Sequence, residues 1–193
     1  MLVEILFYGR GGQGAVTAAN ILVEAAMMSG LHGQGFPFFG AERRGAPVTA
    51  FARISDKPIL RHGMFREADV IVVLDRGLLD LGFVKSGVLK SNGTVIVNTD
   101  ESSIPIDKIN ISGRARVYSV NATRIARELG LVIAGWPVVN TSMLGALARA
   151  TGLVDVETIS KAIAEYFENS KIGILNAEAA RRAYSETRLI MEV

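Results

Sequence analysis

Four glycines in six positions, Gly9-Arg10-Gly11-Gly12-Gln13-Gly14, form the segment of this chain best suited to holding an anion. Without a Cβ, glycine reaches positive φ and lets the backbone approach a ligand closely, so successive N–H groups can converge on one charged group. The segment follows the apolar run at residues 2–8 and precedes an alanine-rich amphipathic stretch at 15–29. That order is a strand, a phosphate-cradling turn and a helix start, and it predicts a phosphate or pyrophosphate site here.

The neighbouring letters narrow the nucleotide classes. A Walker A loop needs Lys and then Ser or Thr after its last glycine, and Gly14 is followed by Ala15, Val16 and Thr17. Gly9, Gly11 and Gly14 satisfy the spacing of a dinucleotide fingerprint. A self-sufficient NAD or FAD dehydrogenase would also need an acidic residue about 20 positions on, for a ribose hydroxyl. The stretch from Leu31 to Phe38 there, Leu-His-Gly-Gln-Gly-Phe-Pro-Phe, carries no carboxylate. The remaining alternative is a plain tight turn beneath a closely packed helix.

Other chemistries are bounded by composition. The chain has no cysteine, which removes thiolate ligation of an iron-sulfur cluster, disulfides and a cysteine nucleophile. His32 and His62 lie far apart without a partner at ligand spacing, so no metal site is expected. A net charge of +2 implies no general field for nucleic acid or an anionic membrane. The uncharged stretch at 131–148 is broken by Gly135, Pro137, Asn140, Thr141 and Ser142, so it reads as strand, turn and helix and not as a membrane span. Glu4 sits within the short first apolar run, which does not suit a secretory signal. The expectation is a soluble cytoplasmic protein.

The elements that must position the loop are legible in part. Buried strands are expected at 2–8, 70–74, 94–97 and 116–120, with a short piece around Val138 and Val139, and an alternating edge or half-covered strand at 48–54. Asn121 and Asp155 read as helix caps, Gly130 as a helix stop, and a last helix is expected from about Asn176 to Ile190. Strands alternating with helices predict an α/β fold: one domain over 1–193, a three-layer α/β/α sandwich with a Rossmann-like, mostly parallel sheet and an antiparallel edge. In such a sheet ligands bind beyond the carboxyl ends of strands. Residues 9–14, Asp75 and Arg76, Asn98 to Asp100, and Asn140 to Ser142 should therefore share one rim.

Three separated motifs occur in order: the glycine loop, the segment 35–47 (Gly-Phe-Pro-Phe-Phe-Gly-Ala-Glu-Arg-Arg-Gly-Ala-Pro), and 53–59 (Arg-Ile-Ser-Asp-Lys-Pro-Ile). With Val95-Ile96-Val97-Asn98, Asn121-Ala122-Thr123 and Pro137 to Thr141 they resemble, over essentially the whole chain, the gamma subunit of the 2-oxoacid:ferredoxin oxidoreductases, in particular the pyruvate enzyme. The resemblance implies a complex that converts a 2-oxoacid, coenzyme A and oxidised ferredoxin into acyl-CoA, carbon dioxide and reduced ferredoxin. It implies thiamine diphosphate, Mg2+ and [4Fe-4S] clusters on alpha, beta and delta partner subunits, and a gamma chain that is non-catalytic alone and associated with coenzyme A. Carried over residue by residue, cofactor contacts fall on Gly9, Gly11, Gly12, Gln13 and Gly14, with a polar contact from Asn140 and Thr141. For those two, capping of the helix that starts near Ser142 is an equal alternative. Arg43 and Arg44 are candidates to grip a phosphate, a substrate carboxylate or an acidic partner surface. Phe36, Phe38 and Phe39 beside them form an apolar cluster that suits a subunit contact. A branched-chain 2-oxoacid or 2-oxoglutarate complex fits the same resemblance.

Overall fold

The computed structural model describes residues 1–37 and 44–193. Its first strand, β1 (Leu2–Arg10), runs through the apolar stretch and into the first glycine of the loop. Ile5 and Phe7 point into one core layer and Leu6 and Tyr8 into the other, so this strand is covered on both faces. α1 (Ala15–Met28) follows, burying Ala15, Ala18, Ala19, Ile21 and Leu22. The remaining strands are β2 (His32–Pro37), β3 (Pro47–Ser55), β4 (Glu67–Val73), β5 (Val88–Asn98), β6 (Asn110–Ile111), β7 (Ala115–Val120), the hairpin β8 (Val132–Ile133) and β9 (Trp136–Pro137), and β10 (Arg188–Glu192). The helices after α1 are α2 (Gly77–Asp80), α3 (Ala122–Glu128), α4 (Asn140–Thr151), α5 (Val156–Tyr166) and α6 (Lys171–Glu186).

The main sheet has eight strands in the order β10-β7-β5-β4-β1-β3-β2, with β6 pairing β5. β1, β4, β5 and β7 are mutually parallel, and the sheet ends in antiparallel strands on both sides: β3 and β2 beyond β1, and β10 beyond β7. The fold is the expected α/β class with a mostly parallel sheet. Its layers are unequal. α1, α3, α4, α5 and α6 cover one face, while the other is covered by α2 and the single turns Phe83–Ser86 and Ile106–Lys108.

Several boundaries differ from expectation, each for a physical reason. β3 alternates in sequence yet lies inside the sheet, because β2 pairs along its far side, while Ala50, Ala52 and Ile54 pack in the layer of α1 and Phe51 packs with Phe36 and Phe65 on the opposite face. Val138 and Val139 are not a sheet strand; they lead from the β8–β9 hairpin into α4. The last helix starts five residues earlier than Asn176, where the Ser170 side chain accepts the Gly173 N–H, and it stops at Glu186 so that residues 188–192 can pair with β7. The Asn121 and Asp155 caps are present as expected, each side chain accepting an N–H three residues on.

On the thinly covered face lies a partly buried charge cluster that sequence reading did not find. Arg53 donates to Glu4 at 2.9 Å, and Lys90 donates to Glu4 and Asp69 at 3.0 Å each. The Arg53 guanidinium also lies 4.7 Å from the centre of the Phe65 ring. Burial pushes the Glu4 carboxyl upward, but the hydrogen bonds from Lys90 and Arg53 outweigh it and hold Glu4 below the usual carboxylate range.

Candidate functional site

The chain leaves β1 toward one face of the sheet, through α1, and leaves the adjacent parallel strand β4 toward the other, through α2. Such a reversal opens a crevice at the carboxyl ends of the two strands, which is where open α/β sheets bind ligands. The glycine loop lies on one side of this crevice and Asp75 on the other.

A clamp of side chains sets the loop's shape. Gln13 folds back so that its carbonyl oxygen accepts the Arg10 N–H at 2.7 Å, while its Nε2 donates to Asp75 at 3.2 Å. Asp75 also accepts from Arg10 Nε at 2.9 Å and from the Gly77 N–H at 2.9 Å. Gly11 pairs with the returning chain, donating to Ala46 O and accepting from Gly45 N–H. Gly12 and Gly14 take φ of +93° and +79°, which turns the chain into the first turn of α1.

This geometry corrects part of the sequence reading. The Gly11 and Gln13 amides are already bonded, to Ala46 O and Arg10 O, and the buried Gln13 side chain is spent within the loop. Gly9 belongs to β1 and pairs with Val48. The amides without an acceptor among the described residues are those of Gly12, Gly14, Ala15, Val16 and Thr17. They occupy the loop's tip and the first turn of a 14-residue helix, where backbone dipoles favour negative charge.

Asn140 and Thr141 stand directly behind this turn. Asn140 Nδ2 donates to Gly14 O at 3.3 Å, and its Oδ1 accepts the Thr141 N–H. Thr141 is fully buried, and its hydroxyl donates to Asn176 on α6 at 2.8 Å. Both side chains are engaged by protein groups, so they brace the start of α1 against α4 and α6. Asn140 is the first residue of α4 and not the residue preceding it, which sets aside the alternative of a helix cap.

Arg44 is exposed and reaches the loop: its Cγ is the nearest atom, at 3.9 Å, to the place a Cβ on Gly12 would occupy. Arg43, with Phe38 and Phe39, lies outside the described residues. Phe36 is packed by its own chain, stacking on Phe51 with centroids 5.1 Å apart and meeting Phe65 edge-on. Further along the rim, Arg76 is held by Asp80 at 2.6 Å and Glu101 at 2.9 Å, and those partners raise its pKa. Asn98 ties the end of β4 to α3 through bonds to Leu74 O and Thr123 Oγ1, both 2.9 Å. The four rim segments expected from sequence are thus present, and the Arg10–Gln13–Asp75 clamp is an arrangement that spacing did not reveal.

The family model for pyruvate ferredoxin/flavodoxin oxidoreductase matches residues 4–186. The chain belongs to that family. Among relatives, the pyruvate/ketoisovalerate oxidoreductases common subunit gamma of Thermococcus litoralis is 52% identical over 186 residues, spanning 96% of this chain and 97% of its own. The pyruvate synthase subunit PorC of Methanothermobacter marburgensis is 50% identical over 187 residues, spanning 97% and 98%. The crystal structure of the pyruvate oxidoreductase subunit PORC from Thermotoga maritima, 36% identical, superposes with a TM-score of 0.79 over 98% of this chain and 99% of that one. This chain is accordingly a gamma-type subunit of a 2-oxoacid ferredoxin oxidoreductase. Among the described residues no helix is long and apolar enough to cross a membrane.

Proposed function

We propose that within such a complex this chain binds coenzyme A and contributes to assembly, while thiamine diphosphate, Mg2+ and [4Fe-4S] clusters reside on alpha, beta and delta partners. The reaction served is pyruvate, coenzyme A and oxidised ferredoxin to acetyl-CoA, carbon dioxide and reduced ferredoxin. The observation that carries the reading is the set of amides of Gly12, Gly14, Ala15, Val16 and Thr17, which have no acceptor among the described residues and lie at the sheet's crevice with Arg44 beside them. A pyrophosphate matches that donor set: the amides supply convergent hydrogen bonds and Arg44 a counter-charge. Coenzyme A contributes the thiol that accepts the acyl group; this chain holds and orients its anionic end and moves no proton itself. The absence of cysteine supports placing the iron-sulfur clusters on other chains.

The test is Gly12→Asp in the reconstituted complex. A carboxylate placed among the amides should raise the KM for coenzyme A while subunit copurification and the KM for the 2-oxoacid stay unchanged. Unaltered coenzyme A kinetics in an intact complex would refute the loop as its site. Arg44→Ala should raise the same constant or weaken copurification.

A second reading concerns breadth of substrate. Relatives about half identical in sequence are described as common to pyruvate and ketoisovalerate oxidoreductases, which supports a gamma chain shared between a pyruvate and a branched-chain 2-oxoacid complex. Affinity capture from the native cell should then recover two distinct sets of catalytic chains, and recovery of one set alone would refute sharing.

A further inference from the structure

Beside the glycine loop, on the same rim, lies a polar cleft of about 410 Å³ beyond the ends of β5 and β7, lined by Asn98, Thr99, Asp100, Thr123 and Arg127 among others. Its volume falls in the range of small-ligand sites. Hydrogen bonds join it to the loop: Gln13 donates to Asp75, and the carbonyl of the preceding residue, Leu74, accepts from Asn98, which lines the cleft. With strands spaced about 4.8 Å apart, β5 lies about 10 Å from β1, a span that one nucleotide covers.

The charges lining the cleft are not equivalent. Arg124 is bound by Glu128 and Glu186, and Glu128 also receives Arg182 at 2.5 Å, so those groups neutralise one another. Arg127 is exposed and has no carboxylate partner among the described residues. It is the cation in this lining left for a ligand. The Asp100 backbone carbonyl is fixed by Arg188 at 2.9 Å, which steadies that wall of the cleft.

We infer that this cleft is the subsite for a ribose 3′-phosphate, with Arg127 as the group that recognises it. The inference rests on the coenzyme A reading above: a pyrophosphate on the loop and a 3′-phosphate are carried by one ribose, so the second anion must fall close to the first. Asp100 offers an acceptor to the neighbouring 2′-hydroxyl. Arg127 is then a specificity residue for phosphorylated coenzyme A over its 3′-dephospho form.

The experiment is calorimetric titration of the reconstituted complex with coenzyme A and with 3′-dephospho-coenzyme A, using wild type, Arg127→Gln, Arg127→Lys and Gly12→Asp. Loss of one charge-assisted hydrogen bond should weaken coenzyme A by about tenfold or more in Arg127→Gln. Binding of the dephospho form should not change, and Arg127→Lys should recover part of the loss. If Arg127→Gln leaves coenzyme A binding intact while Gly12→Asp weakens it, the cleft assignment is overturned and the loop reading stands. Equal weakening of both ligands by Arg127→Gln also overturns it. If neither variant alters coenzyme A binding, both readings fall.

Discussion

Replacing Gly14 by alanine tests how tightly α1 and α4 are joined behind the loop. At φ +79° an L-residue costs about 1–2 kcal/mol relative to glycine. The new Cβ would lie 3.0 Å from Asn140 Cγ and closer still to Nδ2. Asn140 is 3% exposed and has no room to swing away, so overpacking adds about 1–3 kcal/mol. Displacing its bond to Gly14 O removes about 1 kcal/mol more. The total is about 3–6 kcal/mol, a fall in Tm on the order of 10 °C for a chain of this length. Gly12→Ala provides the comparison, because its φ is also positive but its nearest neighbour is the flexible Arg44 stem at 3.9 Å. That variant should lose only about 1–2 kcal/mol. Urea unfolding of both at one pH measures the difference, and adding Asn140→Ala to Gly14→Ala should recover part of the excess. Equal losses at the two glycines, or no recovery in the double variant, would refute the packed contact.

Three further variants probe other parts of the argument. Gly145→Ala should destabilise by at least about 2 kcal/mol despite a helix-propensity gain of about 1 kcal/mol, because its Cβ would meet the Ala180 carbonyl carbon at 2.6 Å and Cα at 2.9 Å on α6; a stabilised variant in urea would contradict that helix crossing. Glu4→Gln should cost about 3 kcal/mol near neutral pH by leaving the buried Arg53 without its carboxylate partner. Because the folded pKa of Glu4 is below its ordinary value of 4.5, the wild-type advantage is complete above that value and disappears as pH falls through the folded pKa. A gap that does not narrow as pH falls below that ordinary value would contradict this linkage. Asp75→Asn cannot keep all three of its accepted bonds, so it should cost about 1–3 kcal/mol and raise the KM for coenzyme A several-fold; unchanged kinetics would detach the clamp from binding.

The parallel centre of the sheet was legible because β4 and β5 each contain a continuous β-branched run and β1 is largely apolar, and the glycine loop because glycines crowd one strand-to-helix turn. β2 escaped notice because two of its six residues are glycine. Those glycines exist for α1: a Cβ on Gly33 would come within 3.2 Å of Val23 Cα. β10 was read as the end of a helix because its register depends on β7, about 70 residues away in sequence. The glycine spacing located the loop but could not say which amides are spent within it. That is decided by Ala46, Arg10 and Asp75, one neighbouring in sequence and two brought in by tertiary pairing. The Asn140–Thr141–Asn176 bracing was likewise beyond pattern reading, since an asparagine before a helix signals a cap until its distant partner is known.

The unequal covering of the sheet has a dynamic consequence. Backbone amides in α4, sandwiched between the sheet and its neighbouring helices, can exchange with deuterium only when the whole molecule opens, whereas the single turns of residues 77–86 rest on few buried side chains and can lift independently. The crevice between β1 and β4 therefore has one wall that stays fixed and another that can breathe, which would let the ligand proposed for it enter without disturbing the principal core.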